Sequence, residues 1–61
     1  VTFTIWDKAT APTGGDLVVG KVYYLTQSVS AINSSATSGS MWQWTGTVWQ
    51  EFTGEIFAEA N

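Results

Sequence analysis

The sequence predicts an all-β domain, a small antiparallel meander or open barrel of four or five short strands. Apolar and polar residues alternate along Val1–Trp6 and again on both sides of Thr45-Gly46. A period of two is the repeat of a strand with one face buried. β-Branched and aromatic residues crowd Leu17–Gln27, and such side chains suit a pleated surface. Pro12 and the Gly14-Gly15 pair separate the first two of these runs, since both break regular structure. The chain has 61 residues, enough for a single domain over 1–61.

The first strand places Val1, Phe3 and Ile5 on one side and Thr2, Thr4 and Trp6 on the other. Asp7–Asp16 then reads as a loop. Within Leu17–Gln27 two arrangements are open. Gly20-Lys21 forms the tip of a two-residue hairpin, with Gly supplying a positive φ, or the chain bends at Gly20 and only Lys21–Ser28 is a strand. Residues 28–40 are a Ser/Thr-rich run in which Val29 and Ile32 are the apolar anchors, the pattern of a long surface loop. Met41–Thr53 is the clearest hairpin. With Thr45 and Gly46 at its turn, Trp44 faces Thr47 and Trp42 faces Trp49. Trp42, Trp44 and Trp49 then share one face, and Met41, Gln43, Val48, Gln50 and Phe52 share the other. Glu55–Ala60 is read as a strand with Ile56, Ala58 and Ala60 on one side. The alternative is a helix, on which Glu51, Glu55 and Glu59 would align.

Composition narrows function. His and Cys are both 0, so disulfides, Cys/His metal sites and Ser-His or Cys-His nucleophiles are excluded. The carboxylates Asp7, Asp16, Glu51, Glu55 and Glu59 are scattered, without the spacing of an acid/base pair or a calcium loop. No catalytic residue, metal or cofactor is expected, and the chain reads as non-enzymatic. Lys8 and Lys21 are its only cations, and the net charge is −3. Two lysines make no basic stripe for nucleic acid. No apolar run approaches the roughly 20 residues of a spanning helix, and no basic segment precedes an apolar one as in a signal peptide. Ser and Thr make up 15 of the 61 residues. Low charge with abundant Ser, Thr and Trp suits a virion β protein, or alternatively a secreted one. Asn33-Ser34-Ser35 matches a glycosylation acceptor triplet.

The candidate contact residues are Trp44, Trp42, Trp49 and Tyr23, whose flat apolar faces and polar edges suit proteins and sugars alike. They equally suit a core, because a domain of this size buries only about 60% of its unfolded surface. The hairpin suggests a division in which Trp42 and Trp49 pack into the fold and Trp44, next to the turn, meets a partner. With little core and bare strand edges, which tend to pair with other chains, the chain is expected to associate with itself, a larger protein, or both.

The run Trp42-Gln43-Trp44-Thr45-Gly46-Thr47-Val48-Trp49, followed by Gln50-Glu51-Phe52, resembles a hairpin of bacteriophage virion proteins. These include capsid decoration proteins and head or tail fibre modules. Gly20-Lys21-Val22-Tyr23-Tyr24 is similar to a strand of the same proteins. The resemblance implies a structural component of a phage particle, partnered by copies of itself or by a larger capsid or tail protein. Gly15-Asp16-Leu17-Val18 with Gly20-Lys21-Val22-Tyr23 looks like a shorter pattern of small chitin- and cellulose-binding modules. That likeness implies, as the alternative, a carbohydrate-binding module using surface Trp and Tyr side chains.

Overall fold

The computed structural model describes residues 2–53 and 58–59. Five strands follow one another along the chain: β1 Thr2–Trp6, β2 Val22–Leu25, β3 Met41–Trp44, β4 Trp49–Glu51 and β5 Ala58–Glu59. A single 3₁₀ turn, Gly14–Asp16, lies between β1 and β2. The strands form one sheet in the order β4-β3-β2-β1-β5. The class is all-β, as expected, but the connectivity corrects the antiparallel meander. β1 lies parallel to β2, with Thr4 beside Tyr23 and Trp6 beside Leu25. β1 is parallel to β5 as well, and only β2–β3 and β3–β4 are antiparallel. The described strands make an open mixed sheet with β4 and β5 at its edges rather than a barrel. Parallel neighbours cannot be joined by a tight turn and need a crossover of about a dozen residues or more. Residues 7–21 supply it.

One face of the sheet carries the core. Trp6, Tyr23, Leu25 and Trp42 are buried there with Val29, Ile32 and Ala36 from the long loop. Tyr23, Leu25 and Val29 are fully enclosed. The loop between β2 and β3 is thus a cover for the sheet, held by the expected anchors Val29 and Ile32 and by Ala36. A buried loop must satisfy its own backbone polar groups. Here the Leu25 amide donates to Ser40 and the Gly39 amide to Leu25, closing its base, while the Val29 amide donates to Ala36 at 2.8 Å. Trp6 donates its indole N–H to the Thr10 carbonyl at 2.7 Å, drawing the crossover under the same face. Ala11 packs against the core there. The core side of β1 is therefore the Trp6 side, and Ile5 opposite is 44% exposed. The other face carries Phe3 and Tyr24, whose rings lie 5.8 Å apart.

Of the two arrangements open for Leu17–Gln27, the bend is the one found. The Lys21 amide donates to Val18 across a turn whose third residue, Gly20, has φ +85°. Such a turn needs a positive φ at that position. The strand starts at Val22 rather than Lys21. The β3–β4 hairpin also turns one residue later than expected. Thr45 and Val48 close it, with the Thr45 amide donating to the Val48 carbonyl. The Thr45 hydroxyl also accepts from the Val48 amide and donates to its carbonyl. Gly46, at φ +105°, takes the first central position, where a turn of the opposite hand to the common types wants glycine. The register shifts by two, so Trp44 faces Trp49 and Trp42 faces Glu51. An even shift keeps the three indoles on one face. At the C-terminal end Ala58–Glu59 is a strand. The expected placements of Glu55, Ile56 and Ala60 lie outside the described residues.

Trp42 is 4% exposed, and its indole N–H is held by the Ser40 hydroxyl at 2.9 Å. Trp42→Ala should remove about 3–5 kcal/mol, comparable to the roughly 5 kcal/mol available to a small domain. Far-UV circular dichroism and urea titration should show a largely unfolded variant. Gln50→Ala, at an exposed position, should stay within about 0.5 kcal/mol of the parent.

Candidate aromatic contact site

Strand alternation and register line four aromatic rings along the core face. Trp6 meets Tyr23 edge-on at 5.8 Å. Tyr23 meets Trp49 at 5.3 Å and 70°, and Trp49 meets Trp44 at 5.2 Å and 52°. Edge-to-face and tilted contacts set the positive rim of one ring against the negative face of the next, worth about 0.5–1.5 kcal/mol per pair beyond area burial. Cations lie against its Trp6 half, with the Lys8 ammonium 4.8 Å from the Trp6 ring and the Lys21 ammonium 5.5 Å from Tyr23. Trp44 and Trp49 sit in a pair that exchanges no backbone hydrogen bonds. The flanking residues Thr45 and Val48 are bonded, as are Met41 and Phe52, and the two kinds of pair alternate. Side chains approach most closely across non-bonded pairs, which places the two indoles together at the turn end.

The four candidate residues divide by burial. Tyr23 is 0% and Trp42 4% exposed, so neither has a face to offer a partner; Trp42 packs into the fold as the hairpin division expects, and Tyr23 is corrected from a contact candidate to core. Trp49 is partly buried and packs on the core. Trp44 is also partly buried but lies outside the core cluster. The structure therefore brings Tyr23, Trp49 and Trp44 into one row, places Trp42 in the core beside it, and leaves the Trp49–Trp44 end of the row partly open to solvent.

Exposed apolar side chains lie at this end of the sheet, Val18 and Val19 on the crossover turn and Val48 beside the hairpin turn on the face opposite the indoles. Val18, Val19 and Val48 are 45%, 66% and 59% exposed. The Gly20 amide donates to the Trp44 carbonyl at 2.7 Å and the Trp44 amide to Lys21, so the crossover turn runs alongside β3. A methyl group added to Gly46 would stand 3.6 Å from the Val19 side chain. A signal was present in the sequence, since adjacent apolar residues such as Val18-Val19 cannot both face inward on an extended segment.

Tyr23 anchors the site from below. Its hydroxyl donates to the Asp16 carbonyl and accepts the Val18 amide at 3.2 Å, tying the valine-bearing segment to β2. Burial raises the Tyr23 pKa above 10.0, the Val18 hydrogen bond works against this, and the Asp16 charge adds to the rise. Of the carboxylates, Asp7, Asp16 and Glu51 are exposed. Among the described residues no cluster of three or more potential metal-binding side chains forms. No helix among them is long and apolar enough to cross a membrane. Asn33 of the acceptor triplet is exposed, and its Oδ1 accepts the Ser35 amide at 2.9 Å.

Comparison of the chain with protein-family models, curated proteins and solved structures finds no match.

The folded chain holds the Tyr23 proton through a pH window in which the unfolded chain has lost it. Stability must therefore fall as pH rises past the free tyrosine value. Thermal melts between about pH 9 and 12 should show this decline, with a shallower one in Tyr23→Phe. At neutral pH, Tyr23→Phe should cost about 1–3 kcal/mol, because the Val18 amide and the Asp16 carbonyl lose their partner.

Proposed function

We propose that this chain is a non-enzymatic structural component of a bacteriophage particle, a decoration or fibre protein that docks on a larger virion protein through its Trp44–Trp49 corner. The observation that carries the reading is the open end of the aromatic row, where two partly buried indoles lie at the sheet end along which the turn bearing exposed Val18 and Val19 runs. An apolar patch rimmed by polar residues is the usual mark of a protein contact, and tryptophan is over-represented among the residues that dominate binding energy. The resemblance of Trp42–Phe52 and Gly20–Tyr24 to phage virion proteins supplies the class of partner. The rigid base supports it too, because Tyr23 and the core fix Trp49 before any partner arrives and so lower the ordering cost of binding.

The carbohydrate-binding alternative is less well supported. At 52° to one another, the Trp44 and Trp49 rings share no common plane on which a flat β-linked glycan could lie.

Trp44→Ala should leave the circular dichroism spectrum unchanged and weaken capture by capsid or tail proteins of the cognate particle by about 2 kcal/mol or more. Pull-down and calorimetry on purified particle proteins read this directly. Undiminished capture by Trp44→Ala would overturn the assignment of the corner. A Trp fluorescence shift with chitin or cellulose oligomers, lost in Trp44→Ala, would move the function to sugar binding.

A further inference from the structure

We infer that the outer edge of β4 is a self-association surface, on which a second copy of this chain adds its own β4 antiparallel about a two-fold axis at Gln50. This goes beyond the docking proposal, since it is carried by the outward backbone groups of the sheet edge and not by the indole face of the aromatic corner. Among the described residues β4 ends the sheet, with β3 as its one neighbour. The ladder to β3 extends past the strand limits. The Thr45 amide donates to Val48 at 3.1 Å and the Phe52 amide to Met41 at 2.8 Å. Alternation then turns the backbone groups of Val48, Gln50 and Phe52 toward β3, and those of Trp49 and Glu51 outward. The result is an extended edge with two outward-facing residues. It carries neither the proline nor the lysine with which edge strands commonly block pairing, since residues 48–53 read Val-Trp-Gln-Glu-Phe-Thr.

Register selects the axis. Residues opposed across an antiparallel pair must lie on the same face of the sheet, so a two-fold axis normal to the sheet passes through a residue. Centring on Glu51 sets two like charges face to face, which destabilises a strand pair. Centring on Trp49 reaches into the turn, where Thr47 would have to pair. Centring on Gln50 lets Trp49 of each copy exchange both backbone hydrogen bonds with Glu51 of the other, satisfying every outward group of the strand. It sets each Glu51 opposite an indole instead of a carboxylate. Val48, 59% exposed, gains Phe52 of the second copy as an apolar neighbour. The two Gln50 side chains meet at the axis, where amides hydrogen-bond in either orientation.

Sedimentation of the full chain across a concentration series tests this. The parent should reach twice its 6.6 kDa as concentration rises. Gln50→Lys and Gln50→Glu, each opposing its own charge at the axis, should remain at the single-chain mass, and an equimolar mixture of the two should recover the doubled mass. Glu51→Pro removes an outward N–H while sparing the bonds to β3, and should also stay single with an unchanged circular dichroism spectrum. A parent that remains single at millimolar concentration overturns the proposal. So does a doubled mass that survives the Gln50 variants or Glu51→Pro, or a lysine–glutamate mixture that fails to pair.

Discussion

The structure depends on the enclosure of Tyr23. Its ring lies between Trp6 on β1 and Trp49 on β4, and its backbone pairs with both β1 and β3. Its hydroxyl binds the crossover segment at Asp16 and Val18. A buried phenol requires a partner for its O–H, since an unsatisfied polar group in the interior costs about 1–3 kcal/mol. That requirement draws residues 16–18 onto the end of the sheet. One side chain thus joins the parallel half of the sheet, the antiparallel hairpin and the crossover, in a chain that has no cysteine for the disulfides on which many chains of this length rely.

The second constraint is that the main core cluster lies on one sheet face and, among the described residues, has no second layer of regular structure over it. Domains normally close a core between two packed layers. Here the second layer is the loop between β2 and β3, whose Val29, Ile32 and Ala36 side chains lie over Trp6, Leu25 and Trp42. Small Ser, Thr and Gly residues fill the rest of the loop, allowing its backbone to bond internally and lie close to the sheet. The hydrophobic work is therefore concentrated in a few large rings, and the ring row extends to the sheet end because the cover does not reach that far. Trp49 and Trp44 become accessible there as a consequence of how the core is closed.

The two proposed surfaces follow from this economy. An aromatic row that is rigid at one end and open at the other presents pre-ordered apolar area to a partner. A sheet whose last strand has one neighbour presents unpaired backbone groups along its edge. The first surface is read by side chains and the second by the backbone, so a protein with both can stack against copies of itself while seated on a different molecule. Such dual contact is what a structural component of a large particle requires, and it needs neither a cleft nor a titrating group.

The sequence by itself determined the all-β class, the β3–β4 hairpin, the common face of Trp42, Trp44 and Trp49, and the anchoring of the loop by Val29 and Ile32. Each of these is local, because alternation, turn chemistry and isolated apolar residues act within a few positions along the chain. The turn expected at Thr45-Gly46 falls one residue later, because the Thr45 hydroxyl bonds to Val48 and Trp44 meets Trp49 across the hairpin. Only the tertiary structure decided that β1 runs parallel to β2, since residues 7–21 are compatible with a return in either direction. Only it enclosed Tyr23 fully and left Trp49, packed on the core, partly accessible beside Trp44. An aromatic residue on a strand carries no local mark of whether a loop distant in sequence will cover it. That depends on how far the β2–β3 loop reaches across the sheet, a property of the assembled layers.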